Sequence, residues 1–252
     1  MNKLFKTIQI ILVISLVCIS LGGFYVLYNA SQQTSMIAYE SIDIQKILNS
    51  SVIVNALFSG GSGTVIKLTN ENMYILTCHH VIDMVLIWQE EIPELKVKVG
   101  YIRTDKYGET IGKTYYTAEI VKYDEDNDMA LLKVKLIDEN LTEVSIAEIE
   151  PEKGDAVYSV GNPLGMIRTL SKGILANKEE GFYICDNTTT YGNSGGGLFN
   201  DKGELIGVPS NVTGYYFKTD ENEEETFVPE TSLGYSRNLK TIKEFLEGVI
   251  YE

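Results

Sequence analysis

The sequence predicts an all-β domain that follows one N-terminal membrane segment and ends in one C-terminal helix. Three observations carry this. From residue 51 to residue 208 the apolar runs are short and frequent, at 51–57, 63–66, 74–76, 96–99, 118–121, 130–136, 156–160, 173–176, 182–185, 198–199 and 205–208. Gly, Asn and Asp fill the gaps, as turns between strands require. Beyond the membrane segment, helical spacing of apolar residues is read only at 40–48 and 239–249. Strands therefore do not alternate with helices, and a sandwich or barrel is expected in place of a parallel α/β sheet.

Taken in order, residues 1–6 form a basic tail with Lys3 and Lys6, and residues 7–28 then run without a charged side chain. As a helix rising ~1.5 Å per residue, that run measures ~33 Å and matches a hydrocarbon core of roughly 30 Å. The next lysine or arginine is Lys46, so the charge asymmetry puts the N-terminus in the cytoplasm and everything after Tyr28 outside. A cleaved signal peptide is the competing reading. The long apolar run and the poor cleavage site at Tyr28-Asn29-Ala30 argue for an uncleaved anchor. Residues 29–38 make a polar linker, and the domain spans 39–252.

The domain opens on a short amphipathic helix at 40–48, with Ile42, Ile44, Ile47 and Leu48, followed by the first strand at 51–57. It closes on a helix in which Leu239, Ile242, Phe245, Leu246 and Val249 face one way and Lys240, Lys243, Glu244 and Glu247 the other. Ser236 or Asn238 can cap it. About 200 residues outside the membrane can bury a full core without disulfides. Cys78 and Cys185 either pair or remain two half-buried thiols.

Chemistry concentrates in Gly192-Asn193-Ser194-Gly195-Gly196-Gly197. Glycines on both sides of a serine give the backbone freedom to turn N–H groups inward beside the hydroxyl, the geometry of an oxyanion hole next to a nucleophile. The bland alternative is a glycine-rich turn with a bystander serine. A serine needs a base, usually a histidine oriented by a carboxylate. The chain has two histidines, His79 and His80, where the apolar run 74–76 ends. Neighbours on an extended segment point to opposite sides, so at most one of the pair should face the serine. Among Asp124, Glu125, Asp126 and Asp128, only Asp128 abuts the apolar strand that follows. The other three read as a solvated turn.

Six segments carry a resemblance: GSGTVI at 61–66, ILTCHHVI at 75–82, DMALLKV at 128–134, GDAVYSVGNPLG at 154–165, DNTTTYGNSGGGLFNDKGELIGV at 186–208 and LGYSRNL at 233–239. In this order they resemble the trypsin-like serine proteases, and among them the HtrA/Deg family. The resemblance implies a double six-stranded β-barrel with the site between the halves. It implies a serine endopeptidase acting on proteins or peptides through an acyl-enzyme, in extracytoplasmic quality control or processing. His80, immediately before Val81-Ile82, takes the role of base, Asp128 that of the orienting acid and Ser194 that of nucleophile. Gly192, Asn193 and Ser194 form the oxyanion hole, with the Gly192 and Ser194 N–H groups as donors. Thr188 becomes the floor of the P1 pocket, and Val208, Ser210 and Val212 a wall. Cys78-His79 departs from the family's usual Asn-Asn. No PDZ module, cofactor or metal ion is expected, and a homotrimer fits the family.

An uncharged Thr188 argues against Lys or Arg at P1, since a buried cation without a counter-ion is costly, and favours Val, Ala or Ile. Asn193 is neutral where an aspartate would pair with a freed N-terminal ammonium, so no such activation is expected. The net charge of −14 argues against nucleic acid and anionic membrane surfaces as partners. The acidic stretch 219–226 reads as a solvated loop or, at the rim of a cleft, as an attraction for basic peptides. Two other functions remain open: a membrane-tethered peptide-binding module with an idle cleft, and an ester-cleaving hydrolase. The second sits poorly with GxSGG on a β-rich chain, which is not the strand-to-helix serine elbow of lipases.

Overall fold

The computed structural model describes residues 42–57, 59–105, 110–135, 140–219 and 222–249, with the backbone alone along 211–231. The expected membrane segment and linker lie outside the described residues. Among the described residues no helix is long and apolar enough to cross a membrane.

Helix α1 (Ile44–Asn49) begins where Asp43 Oδ1 accepts the Lys46 N–H at 3.0 Å, and it buries Ile47 completely. Seven antiparallel strands follow: β1 (Ser51–Ala56), β2 (Ser59–Leu68), β3 (Asn72–Thr77), β4 (Lys98–Thr104), β5 (Thr110–Thr117), β6 (Glu119–Asp124) and β7 (Met129–Lys135). They form one sheet in the order β5-β4-β1-β2-β3-β7-β6. A 3-10 turn, His79–Val81, and helix α2 (Asp83–Trp88) lie between β3 and β4.

Six strands were expected in this half and seven are present among the described residues. The unforeseen one is β5, which pairs with β4 from Lys98↔Thr117 to Thr104↔Thr110. It lies half in solvent, with Ile111 and Tyr115 exposed, so it carries little of the apolar signal by which the other strands are read.

The second half is a closed barrel of β8 (Ala156–Gly161), β9 (Thr169–Glu179), β10 (Phe182–Cys185), β11 (Gly197–Phe199), β12 (Leu205–Thr219) and β13 (Asn222–Arg237), ordered β10-β13-β12-β11-β8-β9. The β12–β13 ladder runs out to Thr219↔Asn222. Residues 222–226 of the acidic stretch therefore belong to a strand of a long hairpin and not to a loop. Backbone pairing along Tyr215↔Val228, Tyr216↔Phe227 and Phe217↔Thr226 draws it into the sheet.

Val54, Val65, Ile75, Leu131 and Leu132 are fully buried in the core of the first half, and Val157, Leu175 and Leu198 in that of the second. Each such side chain contributes about 1.5–3 kcal/mol by leaving water. Helix α3 (Leu239–Leu246) joins the two. Asn238 Oδ1 caps it by accepting the Thr241 N–H at 2.9 Å. Its Ile242, Phe245 and Leu246 enter the first core, and Leu239 enters the second. Cys78 packs in the first core and Cys185 in the second, and both are free thiols.

Candidate active site

Strand β3 ends at Thr77, and the chain turns through an extended Cys78 into the 3-10 turn that holds both histidines. Because that segment is helical rather than extended, His79 and His80 line the same cleft, contrary to the expectation that at most one would face it. Their partners separate them. His80 Nδ1 lies 3.0 and 2.9 Å from the two Asp128 carboxylate oxygens, and its backbone N–H donates to Asp128 Oδ1 at 2.9 Å. His79 stacks on Tyr123, with ring centroids 5.4 Å apart. With Nδ1 held against a carboxylate, the proton of a neutral His80 belongs there and Nε2 is left as the acceptor.

Asp128 is presented by the turn that the acidic run forms. Asp124 Oδ1 accepts the Asn127 N–H at 2.9 Å, and the Asp128 N–H donates to Glu125 O at 3.1 Å. Asp128 itself has φ 50°, a left-handed conformation that aspartate tolerates better than most residues. The next residue starts β7, whose first four side chains are buried, so the acid stands on a fixed base. Ser210 Oγ donates to Asp128 Oδ2 at 2.5 Å. Burial raises the Asp128 pKa, but the hydrogen bonds and charge of His80 and the Ser210 hydroxyl outweigh it and leave the carboxyl below its ordinary 3.8.

The serine loop is held by contacts that reach across the two halves. Gly195 has φ 83°, and its N–H donates to Pro209 O at 2.8 Å; a side chain there would run into Thr77 Oγ1 and the Ser62 carbonyl. Gly192 has φ 95°, and its carbonyl accepts from Ser62 Oγ at 2.7 Å. The Ser62 N–H donates to Ser194 O at 2.8 Å, while Ser62 Oγ accepts the Asn162 N–H at 2.7 Å. Of the three residues assigned to an oxyanion hole, Asn193 has its N–H spent on Thr190 O at 3.0 Å. The Gly192 and Ser194 N–H groups make no hydrogen bond among the described residues. Ser194 Oγ donates to Ser210 O at 3.3 Å, and no hydrogen bond joins it to His80.

These groups face a cleft of about 930 Å³. Of the residues assigned to the P1 pocket whose side chains are described, only Ser210 lines it. Thr188 is exposed, with its carbonyl accepting from Ser171 Oγ at 3.3 Å; Thr189 and Thr190 occupy the wall instead. Val208 is fully buried in the first core, and the Val212 side chain lies outside the described part. Arg237 also lines the cleft, its guanidinium 4.1 Å over the Phe182 ring.

Donor atoms of Cys78, His80 and Asp128 come within 4.8 Å of one another. They are committed elsewhere: the thiol donates to Pro209 O at 3.3 Å, and burial, helped by the Asp128 charge, pushes its pKa well above the ordinary value. The thiolate a metal needs is therefore disfavoured.

Sequence reasoning gave Ser210 a place in the wall but not its bond to Asp128, and gave Ser62 and Asn162 no role. Both residues sit in segments already singled out, GSGTVI and GDAVYSVGNPLG, yet their partners lie a hundred residues or more away along the chain.

The sequence matches the family described as "Trypsin-like peptidase domain" over residues 61–208. A DegP-like periplasmic serine endoprotease of Buchnera aphidicola subsp. Baizongia pistaciae is 32% identical over 158 residues, which cover 59% of this chain and 30% of that protein. The periplasmic pH-dependent serine endoprotease DegQ of Escherichia coli is 30% identical over 158 residues, with the same coverage, 59% and 30%. The chain thus spans about 30% of the length of these curated relatives. A serine endoprotease from Yersinia pestis shares the fold with a TM-score of 0.57 at 23% identity, covering 81% of this chain and 64% of that one. Deg5 gives 0.58 at 23% identity, with 80% and 88% covered. Because the family match runs from the strand that brackets the serine loop to the strand that walls it, and takes in more than half of the chain, the protein belongs to the trypsin-like peptidase domain family.

Proposed function

We propose that the protein is a serine endopeptidase of the HtrA/Deg type that cleaves protein substrates through an acyl-enzyme. One observation carries the reading: Asp128 grips Nδ1 of His80, leaving Nε2 free on the wall of the cleft that Ser194 also lines. A rotation of the Ser194 side chain off the Ser210 carbonyl brings its hydroxyl to Nε2 when substrate enters. His80 then takes the proton as Ser194 Oγ attacks the scissile carbonyl, and Asp128 stabilises the imidazolium. The unengaged N–H groups of Gly192 and Ser194 receive the oxyanion. Collapse of the tetrahedral adduct passes the proton to the leaving amine, and water repeats the sequence on the ester.

Small apolar side chains are favoured at P1, because Thr189, Thr190 and Ser210 carry no charge to pair with a cation. Residues 7–28 anchor the domain on the outer side of the membrane, where it acts on extracytoplasmic proteins. The periplasmic relatives support that placement. The test is intact mass spectrometry after treatment with a fluorophosphonate. A single phosphonyl adduct on the parent protein, absent from Ser194→Ala and His80→Ala, is expected. An unmodified parent under conditions where folding is verified would instead favour a tethered peptide binder.

A further inference from the structure

Strand β6 is an edge of the seven-stranded sheet: it pairs with β7 alone, and its other side has no backbone partner among the described residues. A groove of about 1180 Å³ takes in residues 119–123 of this strand together with Val85 and Leu86 of α2, the turn after it, and Lys133 and Lys135 of the neighbouring β7. Its charge is unlike that of the rest of the molecule. Lys96, Lys122, Lys133 and Lys135 face Glu90 and Glu119, a net of +2 in a chain of −14. Two of these lysines are occupied: Lys133 pairs with Glu119 at 2.7 Å, and Lys122 Nζ donates to Phe245 O at 2.6 Å. Lys96 and Lys135 are exposed and have no ion pair among the described residues. The catalytic cleft has the opposite sign, with Asp83, Glu125 and Asp128 against Arg237. Leu86 and Tyr123 line both cavities, so one polypeptide can continue from the first into the second.

We propose that this groove is a second docking site for a protein substrate, which lays an extended acidic segment along β6 as an added strand. An open edge offers a main-chain hydrogen-bonding ladder to any extended peptide, and flanking side chains decide which peptide takes it. Lysines on an edge repel another lysine-bearing edge, a usual guard against self-pairing. Here the lysines left for an acidic strand flank β6: Lys96 just before β4 and Lys135 at the end of β7. Only the identity of the occupant rests on the proteolytic reading of the cleft; the binding itself does not.

Binding is measured on the full-length Ser194→Ala chain by fluorescence anisotropy, with a labelled ten-residue peptide alternating Glu and Val. Saturable binding is expected, weakened about tenfold or more when Gln replaces Glu or when the chain carries Lys96→Glu and Lys135→Glu, and weakened further by salt. N-methylation of one alternate set of peptide nitrogens should abolish binding and of the other set spare it, because only one set faces β6. Absence of saturation, equal binding of the Gln peptide, indifference to the lysine changes, or equal tolerance of both N-methyl sets would each overturn the proposal.

On the active chain, appending the acidic tract to a cleavable reporter should lower KM about tenfold with kcat unchanged, an advantage lost in the double lysine variant. Tract-free turnover should be the same in both. Binding without any cleavage would keep the docking site and remove the protease reading. Cleavage with no binding and no tract effect would do the reverse.

Discussion

The two halves of the domain hold their reactive groups by different means. His80 and Asp128 stand at neighbouring ends of β3 and β7, which pair without interruption from Asn72↔Lys135 to Thr77↔Ala130 over fully buried Ile75, Leu76, Leu131 and Leu132. Ser194 instead sits in a loop between β10 and β11, fixed by left-handed glycines and by hydrogen bonds from the opposite half. His80 and Asp128 are thus as stable as the core beneath them. Ser194 is only as well placed as a few polar contacts, so in the second half the arrangement of the site can be lost while the fold survives.

The sharpest way to break that comparison is Gly195→Ala. A side chain at φ 83°, pressed onto Thr77 and the Ser62 carbonyl, displaces the loop and its N–H donors. Fluorophosphonate reactivity should fall about 10²–10³-fold, the usual cost of a lost oxyanion donor, with far-UV circular dichroism retained. Leu131→Ala should do the opposite. It should cost about 2–5 kcal/mol in urea unfolding while each folded molecule keeps its reactivity. Equal damage to stability and reactivity in both variants would erase the distinction.

Ser210→Ala removes the hydroxyl from Asp128. We expect kcat/KM for a peptide substrate to drop about tenfold, as for one hydrogen bond to a charged group. The smallest effect concerns pH. The Asp128 carboxyl lies below its ordinary 3.8, so it contributes stability above that value and loses it as pH falls through the folded pKa. Wild type should therefore lose stability below about pH 4 more steeply than Asp128→Asn, as followed by urea midpoints.

What was legible in the sequence follows from what residue types can specify. Ser194 among glycines, an acid abutting an apolar strand and a histidine before Val81 are constrained locally, and the structure places all three on one cleft. Strand β5 escaped because a half-wet strand needs few apolar residues, and the β12–β13 hairpin because acidic residues mask strand propensity. Thr188 is exposed and Thr189 buried, a difference that could not be read: residues 186–196 form no strand, so no alternation fixes which of the two turns inward. The Ser62 bracket could not be read at all, because its partners meet only when the two halves dock.

That bracket bears on how such a chain survives its own synthesis. Ser62 is on β2, completed early, whereas the Gly192 and Ser194 carbonyls it holds come 130 residues or more later. A nascent or half-denatured molecule therefore has a serine whose loop nothing shapes, beside a base that nothing yet presents to it. Assembly of the native state is thus what brings Ser194 and His80 to one cleft, and on the proteolytic reading it would serve as a safety catch: a chain not yet folded has no site with which to cut.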